Sequence, residues 1–345
     1  MTTYAFWNNK GGVGKTFLCF ASASEYAKKH PDVDIYVIDL CPQANLSETF
    51  LGGQVSGGKA LDNIIARAGR PTIAGYLEAR LSSPFSPLSD ISSYVTKPYD
   101  TNRKIPKNLY LICGDNLVEI LSEAIRQTSQ LLLPTDAWLK VTSWVRDLVL
   151  QLQARSGERD SVFFLDCNPS FSIYTQQALA AAERLVIPFT PDESSRRGLE
   201  NIVALLFGVS ASPSTVVYAR LSFAEKAKEH GLALPRLAIF VNNRVTFYEG
   251  KPSRAFAAAS KAIKETMDLV FSKRRSIFVD TTRKPSVNFL DVPDNHSASV
   301  VSSLTGTPVS SLKAGPHEIH GERIQVNSGP LGKYRDAIDS LVSML

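Results

Sequence analysis

Short runs of β-branched and aromatic residues recur along the chain, separated by longer stretches whose apolar positions follow helical spacing. The pattern predicts strands over 3–8, 35–40, 109–113, 162–166, 185–189 and 237–242, and helices over 15–29, 117–133, 135–153, 173–182 and 254–271. Pro134 and Pro169 fall at boundaries, where a ring that fixes φ and removes an N–H does no harm. Several strand runs are apolar at consecutive positions, as expected when helices cover both faces of a sheet. Alternating strands and helices make the expected fold α/β: a doubly wound, mostly parallel sheet flanked by helices, in a single domain over 1–345. The glycine pairs Gly52-Gly53 and Gly57-Gly58 mark a loop. The stretch 71–107, rich in Pro, Ser and basic residues and weak in periodicity, reads as an irregular surface insertion, and 280–330 as a second irregular segment.

Composition narrows the class. At 345 residues, with 44% hydrophobic and 21% charged, the chain can fill one large core, and it shows neither a disordered bias nor a long uncharged apolar run. Residues 1–7 carry no basic segment leading into an apolar one, so the expected location is cytoplasmic, with nucleoid association if the protein binds DNA. Cys19, Cys41, Cys113 and Cys167 lie far apart in or beside apolar runs and suit reduced core thiols. Net charge is +5; from Arg196 onward 20 basic residues face 13 acidic ones, against 18 and 20 before it, so a polyanion is expected on the later half.

Lys10-Gly11-Gly12-Val13-Gly14-Lys15-Thr16 follows the first predicted strand and opens the first predicted helix, the context of a phosphate loop. The glycines allow backbone N–H groups to turn inward, and the helix N-terminus adds partial positive charge. Lys15 would reach the β and γ oxygens of ATP and Thr16 would ligate Mg2+, with Gly11, Gly12, Val13, Gly14 and Phe17 completing the nucleotide contact.

This heptapeptide, with a lysine at its start, resembles the deviant Walker A motif of the ParA/MinD family of P-loop ATPases, and within it the ParA-type DNA partition proteins. The resemblance is clear over 1–60 and 160–245. It implies that Lys10 reaches across a homodimer formed on ATP binding to the partner's nucleotide. Val37-Ile38-Asp39-Leu40-Cys41-Pro42-Gln43-Ala44-Asn45 is similar to the family's DxDPQxN segment. Asp39 matches its first acid, while Cys41 stands where the second usually helps to position the attacking water, which implies slow hydrolysis. Val162-Phe163-Phe164-Leu165-Asp166-Cys167-Asn168-Pro169 resembles a Walker B strand, with Asp166 as the acid and Asn168 in place of a second proline. Lys10, Lys15, Asp39 and Asp166 are thus the expected catalytic residues, and Thr16, Asp39 and Asp166 the expected magnesium ligands. Phe240-Val241-Asn242-Asn243-Arg244 resembles the segment that grips adenine, making Asn242 and then Asn243 the candidates.

Relatives differ in cargo. The ending Tyr334-Arg335-Asp336-Ala337-Ile338-Asp339-Ser340-Leu341-Val342-Ser343-Met344-Leu345 lacks the basic amphipathic character of a membrane anchor, and no cysteine pair suits an iron–sulfur cluster. Nonspecific DNA binding remains, with Lys261, Lys264, Lys273, Arg274, Arg275, Arg283 and Lys284 as the expected contacts and a centromere-binding or adaptor protein as the expected partner. A nucleotide-held scaffold with little or no turnover is the alternative, motivated by Cys41.

Overall fold

The computed structural model describes residues 1–54, 56–209, 223–245, 247–248, 251–252 and 254–345. Its strands are β1 (Thr2–Phe6), β2 (Asp34–Asp39), β3 (Leu109–Ile112), β4 (Ser161–Asp166), β5 (Arg184–Phe189), β6 (Arg236–Val245), β7 (Phe247–Tyr248), β8 (Lys251–Pro252), β9 (Phe289–Pro293), β10 (Gly315–Ile319) and β11 (Glu322–Val326). The helices are α1 (Lys15–Lys29), α2 (Asn45–Leu51), α3 (Gly57–Ile65), α4 (Ile73–Ser82), α5 (Leu117–Thr128), α6 (Ala137–Thr142), α7 (Trp144–Arg155), α8 (Ile173–Ala181), α9 (Glu193–Phe207), α10 (Phe223–Glu229), α11 (Arg254–Lys273), α12 (His296–Thr305) and α13 (Ser328–Ser343).

Seven strands form one parallel sheet in the order β3-β2-β4-β1-β5-β6-β9. β2 and β4 are buried along their whole length, which explains their unbroken apolar runs. Successive side chains point to opposite faces. Tyr36, Ile38, Phe163 and Leu165 enter one core layer, while Ile35, Val37, Val162 and Phe164 enter the other. On the first face Tyr36 stacks between Tyr110 at 5.1 Å and Phe163 at 5.2 Å, its register partners on either side. β1 lies centrally, between β4 and β5, and the loops at the carboxyl ends of these strands define the crevice where such sheets hold ligands. The C-terminal helix α13 packs on the core: Leu331, Tyr334, Ile338 and Leu341 are buried, and Tyr334 stacks on Phe17 of α1.

Every expected strand is present, with ends displaced by at most three residues. Four expectations change. The stretch 71–107 is not a surface insertion. It begins with α4, capped by Thr72, whose Ile73, Ala74, Tyr76 and Leu77 are fully buried. Arg80 is buried as well and paired with Asp147 at 2.8 Å. A helix buried around most of its girth has no polar stripe, and this removed the periodicity that marks a helix in sequence. Further along, the polar Asn102 points inward and donates to the carbonyls of Phe50 and Gly306. Nor is 280–330 irregular: it supplies the seventh strand β9, the helix α12 and the antiparallel hairpin β10–β11. In β9, Asp291 and Pro293 interrupt the apolar run, which an edge position permits. Finally, the helix expected over 117–133 ends at Thr128, leaving Leu131, Leu132 and Leu133 exposed, and the one expected over 135–153 divides at Ser143 into α6 and α7.

Candidate functional site

The turn from β1 to α1 is fixed from both sides. The buried Asn8 donates to the Pro188 carbonyl at 2.7 Å and accepts from the Lys10 N–H at 3.0 Å, tying the loop to β5. Gly12 and Gly14 have φ of 74° and 88°, backbone that favours glycine. Gly14 has a second reason: a Cβ there would sit 2.2 Å from Asn243 Nδ2, which donates to the Val13 carbonyl at 3.0 Å. At Gly11 and Gly12 a Cβ would meet nothing within 4 Å, so the cradle they form is open.

Lys15 is 6% exposed, and its Nζ bonds the Lys10 carbonyl at 3.0 Å. Burial lowers its pKa, while Asp166 and the thiols of Cys167 and Cys41 act the other way. Asp39 and Asp166 are register partners at the ends of β2 and β4. The two buried carboxylates differ in their bonding. Both oxygens of Asp39 are engaged: Oδ1 accepts from the Cys41 N–H at 3.1 Å, and Oδ2 from the N–H and hydroxyl of Ser47 at 2.9 and 2.7 Å. Burial raises its pKa to about 6 against these bonds. Both oxygens of Asp166 lack a hydrogen-bond partner. Burial, then the Asp39 charge, pushes Asp166 up to about 8; the Thr16 hydroxyl and Lys15 oppose the shift, although Thr16 does not reach bonding geometry.

A recess of about 350 Å3 opens over the loop, lined by Lys15, Thr16, Cys41, Gln43, Cys167 and Arg244 among others. Burial and the Asp39 and Asp166 charges raise the Cys41 thiol to about 12, so it stays protonated at neutral pH. A neighbouring recess of about 330 Å3 shares Gly14, Phe17 and Arg244 and adds Asn243, Asp294, His296 and Tyr334. Asn243 faces this space but Asn242 does not: its amide donates to Asp291 of β9 at 2.7 Å, and the residue is 1% exposed. Of the two candidates, Asn243 is thus the one placed at a recess beside the loop. Sequence reasoning missed Arg244, a non-glycine residue at φ 60°, as well as Asp294 and His296, because the strand preceding the latter two went unseen.

Lys10 turns away from the loop. Its Nζ bonds Asp192 Oδ2 at 2.6 Å, Thr190 Oγ1 at 3.2 Å and Ser195 Oγ at 3.3 Å, all in its own chain. Asp192 also caps α9, accepting from the Ser195 N–H at 2.8 Å. These partners went unpredicted, although Thr190-Pro191-Asp192 directly after an apolar strand carries a cap signature.

The residues expected to meet DNA lie on and after α11, outside both recesses. Lys261 faces Glu265 at 3.8 Å, Arg283 pairs with Asp280 at 2.7 Å, and Arg274 donates to the Phe207 carbonyl at 2.7 Å. Lys264 and Arg275 lie over the rings of Phe289 and Phe271. Lys273 ends α11, and Lys284 precedes a short 3-10 turn.

A phosphate group and Mg2+ fit this donor set. The cradle is open, the buried lysine bonds a single backbone carbonyl among the described residues, and Asp166 carries two unpaired oxygens beside Thr16. Among the described residues no group of three or more His, Cys, Asp or Glu could hold a metal. Mg2+ takes one or two protein ligands and completes its shell with phosphate and water, a demand that Thr16 and Asp166 can meet. Among the described residues, no helix is long and apolar enough to cross a membrane.

Comparison with known proteins agrees with the geometry. The AAA domain family model matches residues 1–213. The virulence plasmid ParA family protein pGP5-D of Chlamydia psittaci is 31% identical over 202 residues, 59% of this chain and 62% of that protein. A ParA family protein of Mycoplasma genitalium is 26% identical over 199 residues, 58% of this chain and again 62% of the relative. The chain thus spans under two thirds of the length of these curated relatives. Among solved structures, apo McdA of Cyanothece superposes with TM-score 0.59 at 15% identity, covering 99% of this chain and 98% of that one. A putative plasmid partition protein of Borrelia burgdorferi bound to AMPPNP gives 0.55 at 14%, covering 100% and 99%. These structural likenesses speak for the fold, and together with the match over 1–213 and the glycine-loop geometry they lead to one assignment: the chain belongs to the AAA domain family, as a P-loop ATPase of the ParA/MinD kind.

Proposed function

We propose that this protein is an ATP-gated dimerising switch of the ParA type, which acts in DNA partition by binding DNA nonspecifically in its ATP state and hydrolyses ATP slowly. The observation that carries the reading is the buried Asp166, with two unpartnered oxygens, next to Lys15 and Thr16 at an open glycine loop. Fully buried polar atoms without partners are rare in native proteins, and here a ligand would supply them. Solved relatives holding ATP or AMPPNP add support.

In this reading the inward N–H groups of Gly11 to Thr16 cradle the phosphates, and Lys15 offsets their charge from a site where water is excluded. Mg2+, held by Thr16 and Asp166, would neutralise charge on the β and γ oxygens. Asp39 is spent on Cys41 and Ser47, so its part is to fix the loop that carries Cys41 over the recess. Lys10 would leave Asp192 to meet the partner's nucleotide, coupling association to ATP. Cys41, protonated, cannot serve as a base toward water, and the rate is low for that reason. A protein adaptor that stimulates turnover is part of the same proposal.

The test is light scattering and DNA anisotropy on full-length protein with ATP, with ADP and with neither. Dimers and DNA affinity that depend on ATP support the switch; an ATP-loaded monomer with unaltered DNA affinity rejects it. The Cys41 environment also favours a second reading, a nucleotide-held scaffold that hardly turns over, which a lack of measurable phosphate release with and without DNA would select.

A further inference from the structure

The β3 edge of the sheet carries a basic rim that the nucleotide site does not use. β3 is the outermost strand, and Thr96 closes its open side through an antiparallel bridge to Leu111. The following segment reads KPYDTNRKIPK from 97 to 107, four basic residues against Asp100. Lys97 lies 5.7 Å over the Tyr110 ring, and Arg103 and Lys107 lie 4.5 and 5.3 Å from the Tyr99 ring. Beside them is a recess of about 420 Å3 that brings Arg67, beyond α3, and Arg155, the last residue of α7, together with Lys97; Asp100 is the one acid in its lining. Arg67, Lys97, Arg103, Lys107 and Arg155 are all exposed, and among the described residues none forms an ion pair. Their neighbours Arg70 and Arg159, by contrast, are paired with Asp115 and Asp34.

We propose that this rim is a polyanion-binding surface that holds the phosphate backbone of DNA. The inference rests on the DNA-binding reading above and relocates the contact. In the α11 group, Glu265 and Asp280 face Lys261 and Arg283, whereas among the described residues none of the five rim cations forms an ion pair, and Asp100 is the one acid that lines their recess. A cation resting on an aromatic ring retains its charge but is already ordered, so less entropy is lost when it meets a phosphate. β3 and β9 are opposite edges, six strand spacings or roughly 29 Å apart, so the two groups are separate surfaces. Contacts of this kind read charge and carry no base information.

The experiment is anisotropy of a labelled duplex of arbitrary sequence with full-length protein, ATP and Mg2+, over a range of salt. The variants are Arg67→Glu with Arg155→Glu, Arg67→Gln with Arg155→Gln, and Lys261→Glu with Lys264→Glu. We expect the rim Glu pair to weaken binding at least tenfold. The Gln pair should lower the slope of log affinity against log salt by roughly 0.9 for each phosphate that is no longer neutralised. ATP-dependent dimerisation, followed in the same samples by light scattering, should stay as in wild type. Rim variants that bind like wild type while the α11 pair loses affinity would overturn the rim and leave the partition reading standing. Wild type that binds no DNA with ATP at any salt overturns both.

Discussion

Replacing Asp192 by Asn removes a charge and keeps a helix cap, because Asn serves an N-cap as well as Asp. Lys10 has three protons on Nζ and three acceptors within its own chain, at 2.6, 3.2 and 3.3 Å. Under the proposed switch it must leave them to cross the dimer interface, so their strength opposes association. A charge-assisted hydrogen bond contributes about 1.5–3 kcal/mol. Here the lysine and aspartate side chains are 29% and 45% exposed, and screening brings the ion pair to roughly 1 kcal/mol. Two lysines cross per dimer, so Asp192→Asn should tighten ATP-dependent dimerisation by about 2 kcal/mol, close to thirtyfold in Kd. Sedimentation equilibrium with a non-hydrolysable ATP analogue measures it directly. The same variant should be less stable as a monomer at neutral pH. Burial would raise the Asp192 pKa, but the Lys10 bond and those from Ser194, Ser195 and Thr190 hold it well below the usual range. A depressed carboxylate pKa gives stability that is present above its unfolded value and lost as pH falls through the folded one, so wild type and variant should converge in strong acid. Unchanged or weaker dimerisation by Asp192→Asn, with nucleotide binding intact, would refute the idea that this contact restrains Lys10.

Lys15→Ala should abolish binding of a fluorescent ATP analogue while leaving the fold intact, since among the described residues the hydrogen bond it removes is the one to the Lys10 carbonyl. Cys41→Asp should raise phosphate release at least tenfold, by putting an acceptor for the attacking water where a thiol of pKa about 12 now stands; equal rates would show that the thiol does not limit turnover. Asp166→Asn should flatten the pH dependence of apo stability in urea. A carboxylate raised from 3.8 to about 8 gives stability that is full in acid and lost as pH rises across that window, whereas the neutral amide loses none; a wild type whose stability is level between those limits counts against the buried unpartnered carboxylate.

The legible part of the fold is the part dominated by burial on two faces. β1, β2, β4 and β5 each read as apolar runs because nothing in the sheet's centre asks them to be polar. The edges read poorly. β9 is flanked by a strand on one side only, so it tolerates Asp291 and Pro293, and missing it hid Asp294 and His296 as well. α4 failed for the opposite reason, being buried too completely to show a stripe.

The glycine turn between β1 and α1 was legible because it is local: seven consecutive residues supply the turn, the ammonium and the hydroxyl. The rest of the site depends on which side chains meet across the sheet, and spacing in sequence does not report that. Asp39 and Asp166 look alike as strand-end acids, yet Ser47 and the Cys41 N–H occupy the first and nothing occupies the second. Asn242 and Asn243 are adjacent, so strand alternation sends them to opposite sides: Asn242 meets Asp291 on the neighbouring strand, and Asn243 meets Gly14 in the loop. That last contact also explains why position 14 has no room for a side chain. The asparagine that closes the glycine loop from outside is the one that borders the second recess, so under the proposed function Asn243→Ala should weaken binding of a fluorescent ATP analogue, whereas Asn242→Ala should act through the packing of β9 alone.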